Sequence, residues 1–216
     1  MTSAIAMYGR ALSTGVDLHV VHADGTIRAL GLHRYLRAVD QVDLQVVLRC
    51  TGPTLDVGCG PGRIVSALAA RGVPALGVDV AAEAVAVARS AGANVLHRSV
   101  FSPLPREGGW SRVLLLDENI GIGGHPDALL RRVAQLLAPG GRALVEVDSD
   151  EAADERSAIR LRDGHGRISG SFRWARMGRD ALVAVARAAG LRPVEGWTSG
   201  GRQFVGLAAA GHIGGT

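Results

Sequence analysis

One stretch, Leu55-Asp56-Val57-Gly58-Cys59-Gly60-Pro61-Gly62-Arg63, constrains the fold of this chain more than any other. The aliphatic residues before it read as a buried strand and the apolar periodicity after it as a helix, so the glycines stand where a first strand turns into a first helix. Glycine there lets a ligand reach the backbone with no Cβ in the way, and free amides at the helix start add positive potential. Such a turn suits a nucleotide-like cofactor, although alone it also reads as a plain tight turn. The spacing narrows the ligand. Gly58, Gly60 and Gly62 make G-x-G-x-G, whereas the dinucleotide fingerprint G-x-G-x-x-G needs glycine where Arg63 stands. No Gly-Lys-Ser/Thr follows, so the loop is not a P-loop.

From about residue 52 short aliphatic runs alternate with helical stretches, the pattern of strand, helix, strand units around a parallel sheet. Strands are expected at 54–58, 75–79, 94–98, 112–117 and 142–148, and helices at 63–71, 81–91, 127–137 and 179–189. Two further strands, 192–197 and 202–208, flank the turn 198–201 and imply an antiparallel hairpin at a sheet edge. The expected fold is α/β: a doubly wound, mostly parallel seven-stranded sheet with a C-terminal antiparallel hairpin strand and helices on both faces. Two stretches stand outside this alternation. In residues 1–51 a hairpin (18–21 and 26–30 around Ala23-Asp24-Gly25) precedes a helix at 36–49, a candidate lid. In 150–177 a second hairpin is expected from 159–162 and 167–172 around Asp163-Gly164-His165-Gly166. Residues 52–210 then form the cofactor-binding domain with 150–177 as an insertion, and 211–216 a frayed tail.

Composition limits the partners. With 47 % hydrophobic and 20 % charged residues the 216-residue chain is globular rather than disordered. No apolar run approaches the ~20 residues of a membrane span, and the opening residues lack the apolar block of a signal peptide, so a cytoplasmic protein with no membrane partner is expected. Cys50 and Cys59 are too few for a disulfide framework and lack Cys or His partners at ligand spacing, so no metal is expected. All 24 basic residues are Arg, set against 20 acids, and the arginines are interleaved with acids such as Asp154, Glu155 and Asp163. That distribution, with only 4 % aromatic residues for base stacking, speaks against a nucleic-acid partner.

Two acids accompany the glycine loop. Asp79 closes the second strand, where a carboxylate can accept two hydrogen bonds from ribose hydroxyls. Asp56 lies inside the first strand, where a carboxylate must be paired or hydrogen-bonded, and is expected to bind loop amides, or the ammonium of a ligand through them or through water. Either Asp alone also reads as a turn or cap residue.

With these residues in view, the chain resembles the class I S-adenosylmethionine-dependent methyltransferases. Leu55 to Arg63 looks like their first motif, 75–80 like the acidic second-strand motif, and Leu136-Leu137-Ala138-Pro139-Gly140-Gly141-Arg142 like the loop leading into their fifth strand. The resemblance spans about residues 52–208. It implies a Rossmann-like fold, S-adenosyl-L-methionine as cofactor, and a donor site made by Asp56, Gly58, Cys59, Gly60, Gly62, Asp79, Val80, Ser99, Val100 and Asp117. Many members carry an acid after the third strand for the adenine amino group. This chain reads Arg98-Ser99-Val100-Phe101 there, which leaves the Ser99 hydroxyl and the Val100 backbone for that contact.

The acceptor side is less specified. The loop Asp117-Glu118-Asn119-Ile120-Gly121-Ile122-Gly123-Gly124-His125-Pro126 follows the fourth strand and should face the donor methyl, because ligands of doubly wound sheets sit beyond the carboxyl ends of the strands. Asp117, Glu118 and His125 are the general-base candidates, with Glu118 and His125 retained as catalytic. Plainer readings make Asp117 a strand cap, leave Glu118 in solvent and put His125 with Pro126 at a helix start; for His125 that reading weighs more. The insertion carries Arg156, Arg160, Arg162, Arg167, Arg173 and Arg176, suited to carboxylate or phosphate, or to a solvated face. Phe172 and Trp174 can wall an apolar pocket, and Tyr8, Arg10, His33 and Tyr35 can close over it. Tyr8, Asn119, Phe172 and Trp174 are the expected substrate contacts. The expected function is methyl transfer to a small-molecule acceptor by in-line displacement, in which alignment of the nucleophile supplies much of the rate. An RNA or protein methyltransferase and a catalytically silent S-adenosylmethionine-binding module stay open as alternatives.

Overall fold

Helix α1 (Ala4–Thr14) opens the computed structural model, which describes residues 2–209; the tail at 211–216 lies outside the described residues. This helix was not among the expected elements. The Ser3 hydroxyl accepts the Ala6 N–H at its start and Gly15 closes it in the left-handed conformation. The hairpin β1 (Leu18–Val21) and β2 (Ile27–Ala29) follows, then α2 (His33–Leu36) and α3 (Gln41–Leu48). One helix was expected over 36–49. It is divided because Asp40 takes an extended backbone and caps α3, its carboxylate accepting the Asp43 N–H at 2.8 Å.

The central sheet begins with β3 (Thr54–Val57), which α4 (Arg63–Ala70) follows, and continues with β4 (Ala75–Asp79), α5 (Ala82–Ser90), β5 (Val95–His97) and β6 (Trp110–Leu115). After a short 3-10 turn (Asn119–Gly124) come α6 (Pro126–Leu136) and β7 (Leu137–Val147). The hairpin β8 (Asp154–Asp163) and β9 (Phe172–Met177), helix α7 (Arg179–Ala188), and the strands β10 (Leu191–Ser199) and β11 (Arg202–Ala209) complete the chain. Seven strands lie in the order β10-β11-β7-β6-β3-β4-β5, and β11 runs antiparallel to both neighbours. Both faces of the sheet are covered, which is why β6 reads as a continuous aliphatic run. Val113 and Leu115 pack towards α6 and α7, while Leu114 and Leu116 meet α3 and α4. Strand β7 starts earlier than expected because Leu137 already pairs with Trp110; a register shift before Arg142 follows.

The two segments outside this alternation are one structure. Strand β1 pairs with β8, giving a second, antiparallel sheet of order β2-β1-β8-β9. The expected turn at 163–166 is present, with the Asp163 carboxylate accepting N–H groups of His165 and Arg167. The return strand differs: β9 occupies 172–177, not 167–172, and β8 begins at Asp154. The intervening stretch is drawn off the ladder by Ser169, whose N–H donates to the Leu161 carbonyl and whose hydroxyl accepts the Leu161 N–H. Among the described residues no helix is long and apolar enough to cross a membrane.

Candidate active site

A cavity of about 1030 Å³ lies between the carboxyl ends of β3, β4 and β6 and the second sheet, which forms its roof. That is the upper end of the ~300–1,000 Å³ usual for small-molecule sites, room for two ligands side by side. Gly58, Cys59, Gly60 and Pro61 line one side. Gly58 and Gly60 hold positive φ values of 71° and 53°, which turn the chain sharply; a Cβ on Gly58 would overlap the Asn119 amide, and one on Gly60 would stand 3.2 Å from the Tyr8 hydroxyl. Asp79 Oδ2 accepts the Gly60 N–H at 2.9 Å and Oδ1 the Ala81 N–H at 2.8 Å, so one carboxylate fixes the loop to the end of β4. Each oxygen keeps a lone pair for a ligand. Burial pushes the Asp79 carboxyl up, against the pull of those amides. Val80, Ser99 and Val100 continue the same wall. Burial drives the Cys59 thiol well above its ordinary range.

Two residues expected at the donor site do not line this cavity. Gly62 caps α4 with φ 82°, and a Cβ there would stand 3.0 Å from the Cβ atoms of Ala88 and Ala93, so this glycine serves the packing of α4 on α5. Asp56 is buried inside β3 and lies off the cavity wall. Burial is the main reason its carboxyl is pushed up to about 7; Asp117, Asp79 and Asp43 add to this and Arg63 opposes it.

An ion network supports the floor. Arg63 Nε donates to Asp43 Oδ2 at 3.0 Å, and its Nη1 lies 2.8 Å from Asp117 Oδ2. Arg202 bridges Glu146 (2.6 and 2.7 Å) and Asp43 (2.8 Å), and Arg34 Nη2 donates to Asp117 Oδ1 at 2.8 Å. Asp117 is reached by three guanidinium groups, those of Arg34, Arg63 and Arg202. Arg63, where a dinucleotide fold has glycine, anchors α4 to α3 and to the end of β6. Sequence reasoning missed Arg34, Asp43, Glu146 and Arg202. The available signal was a charge inside an apolar run, as with Asp43 in α3 and Glu146 in β7.

The acceptor side faces the roof. Asp117 and Glu118 both take left-handed backbone conformations, φ 53° and 64°, and Glu118 lines the cavity. Enclosure by the protein pushes its carboxyl up, with Asp148 and Glu146 adding and Arg28 opposing. Asn119 Nδ2 donates to the carbonyls of Val57 and Gly58 at 2.9 and 3.0 Å, bracing the glycine loop at the cavity edge. Phe172 and Trp174 form an edge-to-face pair with centroids 6.1 Å apart on the opposite wall. Tyr8, His33 and Tyr35 line the cavity; Arg10 does not. Of the six insertion arginines, Arg173 and Arg176 reach it, and Arg176 is held by Asp148 and Glu155. His125 sits exposed at the start of α6, outside the cavity wall, and the catalytic role expected of it is withdrawn.

Residues 32–195 match the sequence model of a family described as a methyltransferase domain. No functionally curated protein matches the chain in sequence. Among solved structures, a SAM-dependent methyltransferase from Bacteroides fragilis, in complex with S-adenosyl-L-homocysteine, superposes with a TM-score of 0.80 at 19 % identity, over 97 % of this chain and 95 % of that one. The 1,6-didemethyltoxoflavin-N1-methyltransferase of Burkholderia thailandensis gives 0.56 at 20 % identity, over 78 % and 77 %. An amino pentose methyltransferase from Micromonospora echinaspora gives 0.57 at 19 % identity, over 82 % and 94 %. At these identities the likeness is one of fold.

Proposed function

The chain belongs to the methyltransferase-domain family, in its class I form, and from that premise we propose that it moves a methyl group from S-adenosylmethionine to a small molecule held beneath the roof sheet. The observation that carries this reading is a single cavity joining the glycine loop and Asp79 to the aromatic wall of Phe172 and Trp174. The residues present fit the cofactor. The glycine loop lines the cavity, the free lone pairs of Asp79 suit the ribose hydroxyls, and Ser99 with the Val100 backbone suits the adenine. The Arg34–Asp117 pair beside the loop offers opposite charges to the amino-acid end. When bound, the cofactor supplies an electrophilic methyl group on a sulfonium. The chain's own part is to align the acceptor, exclude water beneath the roof, and receive a proton at Glu118.

A roofed cavity suits a small acceptor, and the toxoflavin-precursor and amino pentose enzymes of the same fold are named for such substrates. Calorimetry with S-adenosylmethionine, S-adenosylhomocysteine and NAD tests the reading. The first two are expected to bind and NAD is not; tighter binding of NAD would overturn it.

A further inference from the structure

Most charges around the cavity are satisfied within the protein. Asp148 and Glu155 hold Arg176, and Asp117 holds Arg34 and Arg63. Arg28 of β2 and Glu118 differ: among the described residues their side chains make no ion pair or hydrogen bond except the one with each other, Nη2 and Oε1 being 3.8 Å apart and 49 % and 44 % of the two side chains exposed. Both line the cavity. A pair this long and this open contributes little to the fold, so a ligand can part it at small cost. Glu118 nonetheless keeps a left-handed backbone, which a residue bearing a Cβ holds only where its surroundings enforce it. The cavity that holds the pair also has apolar surface: Val20 stands opposite Arg28 in the β1–β2 ladder, and Phe172 and Trp174 line it from β9, at the other edge of the roof sheet.

A ligand of one sign would engage one of these groups and leave the other without its partner. A ligand carrying both signs close together replaces one loose contact with two charge-assisted ones. We infer that the acceptor is an amino-acid-like zwitterion with an aromatic body, its carboxylate on Arg28, its amine on Glu118 and its body against Phe172 and Trp174. This rests on the methyltransferase reading of the same cavity and names its substrate class. The ammonium gives a proton to the Glu118 carboxylate. The freed nitrogen pair then forms the N–C bond while the C–S pair stays on sulfur, so the product is a secondary ammonium and no further reactant is needed.

Calorimetry on the full chain saturated with S-adenosylhomocysteine tests this with L-tryptophan, tryptamine and indole-3-propionate. L-Tryptophan is expected to bind at least about tenfold more tightly than either analogue. Arg28→Gln should erase its advantage over tryptamine, and Glu118→Gln its advantage over indole-3-propionate. Both variants should keep the wild-type melting temperature and S-adenosylhomocysteine affinity. Absent L-tryptophan binding, equal or tighter binding of an analogue, or an unchanged profile in Arg28→Gln overturns the zwitterion assignment and leaves the methyltransferase reading standing. Lost S-adenosylhomocysteine affinity in either variant moves the pair to the donor side and also overturns it. Failure of the wild type to bind S-adenosylhomocysteine removes both readings.

Discussion

Val20 of β1 and Leu161 of β8 are cross-strand partners, so the start of the chain and the segment after β7 share one ladder above the cavity. Leu161 is buried in a cluster with Met7, Leu12, Leu18 and Leu32, and with Ala81 and Ala84 at the start of α5. The roof, α1 and the donor side of the central sheet are therefore joined by one apolar contact surface, and the roof is expected to open as a unit.

Leu161→Ala tests that unity. Removing a buried leucine from such a cluster is expected to lower stability by about 2–4 kcal/mol. Cleavage by a nonspecific protease should rise together at the turns 23–25 and 164–166. Increased cleavage at one turn alone would show that the two hairpins open independently.

Asp79→Ala should weaken S-adenosylhomocysteine binding by about 1.5–3 kcal/mol, because the ribose loses charge-assisted hydrogen bonds and the Gly60 amide loses its anchor. Circular dichroism should show the fold retained. An unchanged dissociation constant in a folded variant would place the ribose elsewhere.

The parallel sheet was legible because period and punctuation agree along it: β4 (Ala75–Asp79) falls on its expected bounds, and α4, α5, α6 and α7 fall within a residue of theirs. Asp79 was legible as a strand-end acid for the same reason. Helix α1 was missed because Gly9 interrupts it, and only the tertiary structure explains that glycine: a Cβ would overlap the Glu83 carboxylate of α5. The β1–β8 ladder was not legible, since nothing local in either hairpin names a partner far along the chain. Arg28 and Arg34 were missed as site residues because an arginine in an exposed hairpin or short helix looks solvated until the roof is folded over it. For His125 the plainer reading weighed more, and the structure places it exposed beside Pro126 at the start of α6.

Acid should loosen the floor of the site. Burial alone would raise the Asp43 carboxyl, but hydrogen bonds from Arg63 and Arg202 outweigh it and hold it at about 2. Its folded value lies below its unfolded one, so the stabilisation is present above about pH 4 and is lost as pH falls towards 2. Denaturant melts across that window should show Asp43→Asn less stable than wild type at pH 6 by about 2 kcal/mol or more, with the gap closing on acidification. A gap that persists at pH 2 would assign the effect to packing.

Asp56 titrates in the opposite sense. Its folded carboxyl, pushed up to about 7, holds its proton more tightly than in the unfolded chain, so native stability is lost as pH rises from about 4 through 7. Asp56→Asn removes that cost. The variant should exceed wild type in stability at pH 8 by about 1–3 kcal/mol and match it near pH 4. A less stable variant at pH 8 would mean that the ionised carboxylate is bound more strongly than its surroundings indicate.

Gly121 joins the loop after β6 to the roof. A Cβ there would overlap the Ala175 carbonyl oxygen and come within 2.5 Å of Trp174 Nε1, so the two walls of the acceptor space touch at a point where no side chain fits. Gly121→Ala is expected to cost about 1–3 kcal/mol through overpacking. It should also displace Trp174, visible as a change in tryptophan emission. Trp174→Ala in the same chain relieves the side-chain overlap but leaves the backbone one at Ala175. The double variant should therefore lose less stability than the sum of the single changes while remaining below Trp174→Ala alone. Strict additivity would show that the loop and the roof do not meet at this residue.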